Sequence, residues 1–299
     1  MKKYLYIIVC ATLILISTSV VNAANEVYYT NRRNIEMTER EYNNLLGLGF
    51  SETDIARMDQ EEFNLNKDLE GELLGEATKY YRITTHVHNG IKETTKTEIT
   101  KEEALYEKAL QAQKPLVRGP VGSYYNDTYY DTVIEELTRI VGINNTYMRF
   151  HNKVTWYTMP DEQYYDIIGI GMESAKVKFG SGIVFRENWT DAFGTDGYTQ
   201  VCRPVSTSTG GYVVFELPGL FITQLDAYMY FNVQKQNGVG TITSLYAGGD
   251  YAHGITSIDP DDLLDHLSVN YGSGIVIDST YTNDFAQQTS TLASFIGTW

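Results

Sequence analysis

Leu45, Leu46, Leu48, Phe50, Ile55, Met58 and Phe63 recur at helical spacings through TEREYNNLLGLGFSETDIARMDQEEFNLNKDL (38–69). Polar starts interrupt them: Thr38 with Glu41, Ser51 with Asp54, and Asp59 with Glu62, each pair three apart ahead of an apolar position. This is the form of a capping box, or its Asp-led equivalent, and it predicts three short helices sharing one apolar face. TKYYRITTHVHNGIKETTKTEI then alternates as a hairpin. A two-residue turn at Asn89-Gly90 would set Val87 opposite Lys92 and Ile83 opposite Lys96, mixing charge into the apolar stripe. A three-residue loop, His88-Asn89-Gly90, pairs Val87 with Ile91, Ile83 with Thr95 and Tyr81 with Thr97, and is the register expected here. Thr100 with Glu103 caps a further helix that runs to Gln113 and stops at Lys114-Pro115.

PLVRGPVGSYY (115–125), with two Pro and two Gly, marks the expected domain boundary. Beyond it the period shortens to two. Met148, Phe150, Val154 and Trp156 alternate with Arg149, His151, Lys153 and Thr155; Ala175, Val177 and Phe179 alternate with lysines; Met229, Phe231 and Val233 alternate with Tyr228, Tyr230 and Asn232. With runs near Ile167, Ile183, Val201, Val213, Ile242 and Ile275, about nine or ten strands separated by Gly, Asn and Asp turns are expected. Two helices should interrupt them, TVIEELTRIV from Thr132 and a short one with Asp259 as cap and Pro260 at its first position. The expectation is therefore a mainly β protein: an antiparallel β-sandwich (120–299) preceded by a small α+β region (26–114).

The first residues, Met-Lys-Lys, an apolar run from Tyr4 to Ile16 and small residues up to Ala23, read as a secretory signal peptide (1–23), which implies an extracellular protein. The run is too short to cross a bilayer comfortably and no second one follows, so membrane insertion is not expected. Cys10 follows Val9 rather than a small residue, which argues against a lipid anchor. Two stretches, YYTNRRNIEMTEREYNNLLGLGFSETDIARM and VTWYTMPDEQYYDIIGI, resemble patterns in uncharacterised secreted proteins of Gram-positive bacteria with no known activity. That resemblance implies an exported, β-rich bacterial protein and brings no site residues. The Leu48-Gly49-Phe50 turn resembles the helix, Gly-Phe loop, helix opening of ubiquitin-associated domains, although an exported protein has no obvious ubiquitin to bind.

The chain has 299 residues, 23 Lys+Arg and 38 Asp+Glu, a net charge of −15. Loss of Lys2 and Lys3 with the signal leaves 21 minus 38, or −17, which disfavours nucleic acid and anionic lipid surfaces. Of 2 cysteines only Cys202 would remain, so no intrachain disulfide is expected. Catalytic readings are thin. Cys202 with His151 or His253 could form a nucleophile and base, but a single strand cysteine more often fills a core. Asp166, Glu173, Glu187 and Glu216 could pair as glycosidase carboxylates but lack the strand spacing of familiar lectin-like hydrolases. His86 and His88 lack the further ligands zinc needs. Asp250, Asp259, Asp261, Asp262 and Asp265 lack an EF-hand spacing, and helix capping explains most of them. No catalytic or metal residue and no cofactor is assigned. Tyrosine is the least ordinary feature, with 24 residues and doublets starting at Tyr28, Tyr80, Tyr124, Tyr129 and Tyr164. Adjacent strand side chains point to opposite faces, so outward rings are expected, and Tyr164, Tyr165, Tyr228 and Tyr230 are the candidate ligand-binding residues. The leading reading is a secreted, non-enzymatic module that binds a glycan or an extracellular protein. The alternative is an extracellular glycan hydrolase. Oligomeric state is not readable.

Overall fold

The computed structural model describes residues 26–88, 91–113, 128–144, 146–160, 164–199, 202–219, 221–272, 274–286 and 291–299. The expected signal peptide (1–23), the Pro/Gly stretch 115–125 and Asn89-Gly90 lie outside these residues. No described helix is long and apolar enough to cross a membrane. The chain forms two compact units that meet in sequence at Gly71.

The first unit holds the three expected helices, α1 (Glu39–Gly47), α2 (Glu52–Arg57) and α3 (Gln60–Asn66), after the short strands β1 (Tyr29–Thr30) and β2 (Glu36–Met37). Thr38 and Ser51 form complete capping boxes, and Asp59 accepts from the Glu62 amide at 2.8 Å. Leu45, Leu48, Phe50, Ile55, Met58 and Phe63 are buried, whereas Leu46 is 38% exposed and lies off the shared face. Asn31 ties the entry to the helices by donating to the carbonyls of Ile55 (3.1 Å) and Met58 (2.9 Å).

The second unit is mainly β. Its strands are β3 (Gly71–His88), β4 (Ile91–Ile99), β5 (Thr128–Ile143), β6 (Tyr147–Trp156), β7 (Tyr165–Met172), β8 (Val177–Phe179), β9 (Val184–Asp191), β10 (Asp196–Thr199) and β11 (Cys202–Thr207). They continue with β12 (Gly210–Glu216), β13 (Ile222–Lys235), β14 (Ser244–Gly254), β15 (Leu267–Asn270), β16 (Gly274–Ile277), β17 (Phe285–Ala286) and β18 (Thr291–Ile296). Helices α4 (Lys101–Gln111) and α5 (Pro260–Leu264) carry the expected Thr100 and Asp259 caps. An eight-stranded sheet runs β10-β9-β13-β6-β5-β3-β4 with β8 beside β13, and a six-stranded sheet runs β11-β12-β7-β14-β17 with β18 beside β14. Phe150, Trp156, Met229 and Phe231 from the first sheet and Ile168, Ile170, Phe215 and Tyr251 from the second share one buried core. The six-stranded sheet is apolar on its other face too, where Ile167, Val214 and Ala252 pack with Leu263, Val269 and Ile275. Burial on both faces explains near-continuous apolar runs such as YVVFE, which an alternating pattern would not contain.

Three expectations are corrected. The hairpin and α4, expected with the N-terminal region, fold with the sandwich, because β3 pairs into the eight-stranded sheet and Tyr81 and Ile83 enter its core. The hairpin adopts the two-residue register, Val87 opposite Lys92 and Ile83 opposite Lys96. Charge is tolerated on the inner stripe because Lys96 meets Glu136 at 2.8 Å and Lys92 donates to the Ile255 carbonyl at 2.8 Å. His86 consequently faces Glu93. Finally, TVIEELTRIV is not a helix but lies within β5, where Ile134, Glu136, Thr138 and Ile140 alternate inward and are all buried. Two inward polar residues broke the strand signal and imitated a helical period.

Candidate functional site

The ionisable interior lies where β5 and β6 cross β7, β14 and β18. Gly249 is the point of closest approach, since a Cβ there would run into Thr138 Oγ1 and into Asn152 Oδ1. Asn152 Nδ2 donates across the gap to the carbonyls of Gly169 and Asp250, both at 3.1 Å, and Thr138 Oγ1 donates to Asn152 Oδ1 at 3.2 Å. Beside this junction Glu136 accepts from Lys96 (2.8 Å) and from Thr291 Oγ1 (3.1 Å), with the Lys96 and Glu136 side chains 4% and 1% exposed. Lys96 Nζ also sits 4.0 Å from the centre of the Tyr81 ring. Burial pushes the Glu136 carboxyl up despite Lys96.

Asp250 points to the opposite face of its sheet, under the β15–β16 hairpin, and accepts from the amides of Tyr251 (2.8 Å) and Ile275 (2.9 Å). Burial first, and the Glu136 charge second, push its carboxyl up to about 8. Three register positions further along β7 and β14, Asp166 gathers three donors: the Tyr251 hydroxyl, the Gly254 amide at 3.0 Å and His253 Nδ1 at 3.1 Å. Burial, then the Asp166 charge, hold the Tyr251 phenol protonated well above its usual range. Trp156 meets the Tyr251 ring edge-on at 5.3 Å. A neutral imidazole donating from Nδ1 to a carboxylate keeps its lone pair on Nε2, so the Asp166–His253 pair has the form of an oriented base. His253 is only 4% exposed, which leaves that base little access to solvent.

The other expected chemistries are not brought together. Cys202, Phe215, Asp166 and His253 occupy one row across β11, β12, β7 and β14. Three strand spacings, on the order of 14 Å, separate the cysteine from that histidine. Burial raises the Cys202 thiol, the wrong direction for a nucleophile. His151 lies on the far face of the eight-stranded sheet, stacked on Tyr228 at 5.5 Å and Tyr230 at 6.3 Å. Among the candidate carboxylates, Asp166 and Glu187 are fully buried, Glu173 pairs with Lys176 at 3.1 Å, and Glu216 is exposed at the end of β12. Asp259 caps α5, and Asp261 bridges to Arg203 at 2.7 Å. Among the described residues, no group of three or more His, Cys, Asp or Glu side chains could hold a metal ion.

Tyr228 and Tyr230, expected on a solvent face, are 1% and 3% exposed. The face was assigned correctly, since Met229, Phe231 and Val233 enter the core, but the opposite face is layered as well. Strand register sets Lys153, His151 and Arg149 of β6 beside Tyr228, Tyr230 and Asn232 of β13, and the Arg149 guanidinium lies 4.2 Å from the Tyr230 ring centre. Arg149, His151 and Lys153 are themselves 1%, 0% and 7% exposed, so rings and polar side chains are buried together on a face that alternation alone would leave in water. Tyr164 and Tyr165 are half-buried, Tyr164 with Lys92 Nζ 5.3 Å from its ring and Tyr165 against the second core. Sequence reasoning missed Lys96, Glu136, Thr138, Asn152 and Thr291; polar residues at inward strand positions were the available signal.

Fold and site together define an acidic, mainly β sandwich protein whose ionisable interior joins its two sheets. Comparison with protein-family models finds no match, and comparison with curated proteins finds none either. Nine chains of solved structures match. One is described as "AvmM Catalyzes Macrocyclization in Alchivemycin A Biosynthesis", at 12% identity and a TM-score of 0.19, covering 50% of this chain and 79% of that one. A likeness at that score carries no argument about fold or activity.

Proposed function

We propose that this chain is a binding protein that acts outside the cell without catalysing a reaction, its ligand a glycan or an extracellular protein. The observation that carries the reading is the employment of the interior acids. Asp166, Asp250 and Glu136 are each 1% exposed or less, and between them they accept from Tyr251, His253, Gly254, Ile275, Lys96 and Thr291. Acids committed in this way stabilise a sandwich, whereas a glycan hydrolase needs two carboxyl groups facing a substrate and water. Export is inferred from the signal-like residues 1–23. The test is incubation of the purified protein with cell-wall and host-type glycans, measuring both retention and newly released reducing ends. Retention without release is the expected result. Release that disappears when Asp166 or Glu187 is replaced would establish the hydrolase instead.

A further inference from the structure

The apex formed by the β9–β10 hairpin and the residues entering β13 presents two aromatic rings to solvent, Phe193 at 87% and Phe221 at 53% exposure. Neither lies on a loose loop. Asp191 Oδ1 accepts from the amides of Phe193 and Thr195, both at 2.8 Å, and the Asp191 amide donates to the Thr195 carbonyl at 3.0 Å. The two segments are joined where the Ala192 amide donates to the Phe221 carbonyl at 2.8 Å and Thr223 Oγ1 donates to the Thr190 and Asp191 carbonyls. Below them the Trp189 indole lies over Gly197, where a Cβ would collide with its ring.

Phe221 has φ +74, a left-handed conformation that penalises a bulky side chain and favours glycine. Core packing does not explain why phenylalanine stands there, because more than half of the residue is in water. Strain held at an exposed aromatic points to a ring needed for contact. The charge around it narrows the partner. No Lys or Arg occurs between Arg186 and Arg203 or between Arg203 and Lys235, while Asp191 and Asp196 belong to the apex hairpin. Phosphate-bearing surfaces and anionic chains are therefore disfavoured. Exposed Thr195 flanks the rings and sets a hydroxyl beside flat apolar faces. Two exposed rings on segments joined by the Ala192–Phe221 backbone hydrogen bond suit a single chain laid across them better than the roughly 1,200 Å² or more that a stable protein interface buries.

We propose that the Phe193 and Phe221 apex is a binding surface for a neutral polysaccharide, whose sugar rings stack on the two aromatic faces. This rests on the non-catalytic binding reading above. The test is retention of the full chain on insoluble cellulose, chitin and β-1,3-glucan, with phosphatidylglycerol vesicles as the contrasting surface. Wild type is expected on at least one of the glycans and not on the vesicles. Phe193→Ala, an exchange at an exposed tip, and the Phe193→Ala/Phe221→Ala pair should retain the fold by circular dichroism. The pair should lose retention about tenfold or more. Phe221→Gly should raise the melting midpoint by relieving the left-handed strain while lowering retention, an opposition that a structural role for the ring would not produce. Wild-type affinity in the variants would overturn the site and leave the binding reading standing. Retention of wild type on none of the three glycans, or on vesicles alone, would overturn the ligand class. Release of reducing ends by wild type would overturn the binding reading itself.

Discussion

Asp250→Asn isolates the buried carboxyl beneath the β15–β16 hairpin. In the native protein this group holds its proton up to about pH 8, whereas in the unfolded chain it ionises near the ordinary value of roughly 3.9. A carboxyl raised on folding contributes stability that is fully present below about pH 4 and is lost as pH rises through about 8, because the unfolded chain releases the proton first. At roughly 1.4 kcal/mol per pH unit, the loss between pH 5 and pH 8 is on the order of 3 kcal/mol. Asparagine cannot titrate. Its single carbonyl oxygen can serve the Tyr251 amide or the Ile275 amide but not both, a fixed cost of about 1–2 kcal/mol at every pH. Wild type should therefore lead by about 1–2 kcal/mol only near pH 4 and below, stand close to parity with the variant at pH 5, and be the less stable protein by pH 8. Urea unfolding of both proteins at pH 5, 6, 7 and 8 measures the difference directly, and titrating groups that do not interact with Asp250 cancel in the comparison. A gap that is constant with pH, or one that widens in favour of wild type as pH rises, would refute the assignment of a raised carboxyl to this position.

Two further expectations follow from the same interior and from the N-terminus. Lys96→Met removes the partner of a carboxylate that is 1% exposed, and should cost about 3–5 kcal/mol in unfolding free energy. Lys96→Met/Glu136→Leu should recover most of that loss, and a double variant no more stable than the single one would show that the pair is not the relevant unit. The extracellular protein should begin at or near Ala24, checked by N-terminal sequencing; a retained Met1 would sink the export reading.

What could be read in the sequence was what neighbouring residues decide. Thr38, Ser51, Asp59, Thr100 and Asp259 each cap a helix within three positions of themselves, and all five are found doing so. Alternation around Phe150 and Phe231 gave the strands and the core face. What could not be read depended on partners far along the chain. Lys96 is 40 residues from Glu136, and Thr291 is 155 residues from it, so nothing local says that Lys96 may face inward or that Glu136 belongs in a strand. The same holds for Tyr228 and Tyr230. Their exposure was inferred from alternation within β13, but the His151 and Arg149 side chains packed on them come from β6. Asp166 and Asp250 were visible as acids and His253 as a histidine; the row that joins Asp166 to His253 exists only once β7 and β14 are paired.

The junction at Glu136 and Thr138 also sets an order of events for a chain emerging N-terminus first. Both side chains lie inside the sandwich, and each draws a partner from Thr291, one from its hydroxyl and one from its carbonyl. Until that residue has appeared, β5 cannot close its inner face without stranding a carboxylate and a hydroxyl in an apolar gap. Contacts spanning such sequence distances form slowly, because the loop must close before they contribute. The interior of the sandwich therefore cannot seal around Glu136 and Thr138 before Thr291 has been made, 155 residues after Glu136.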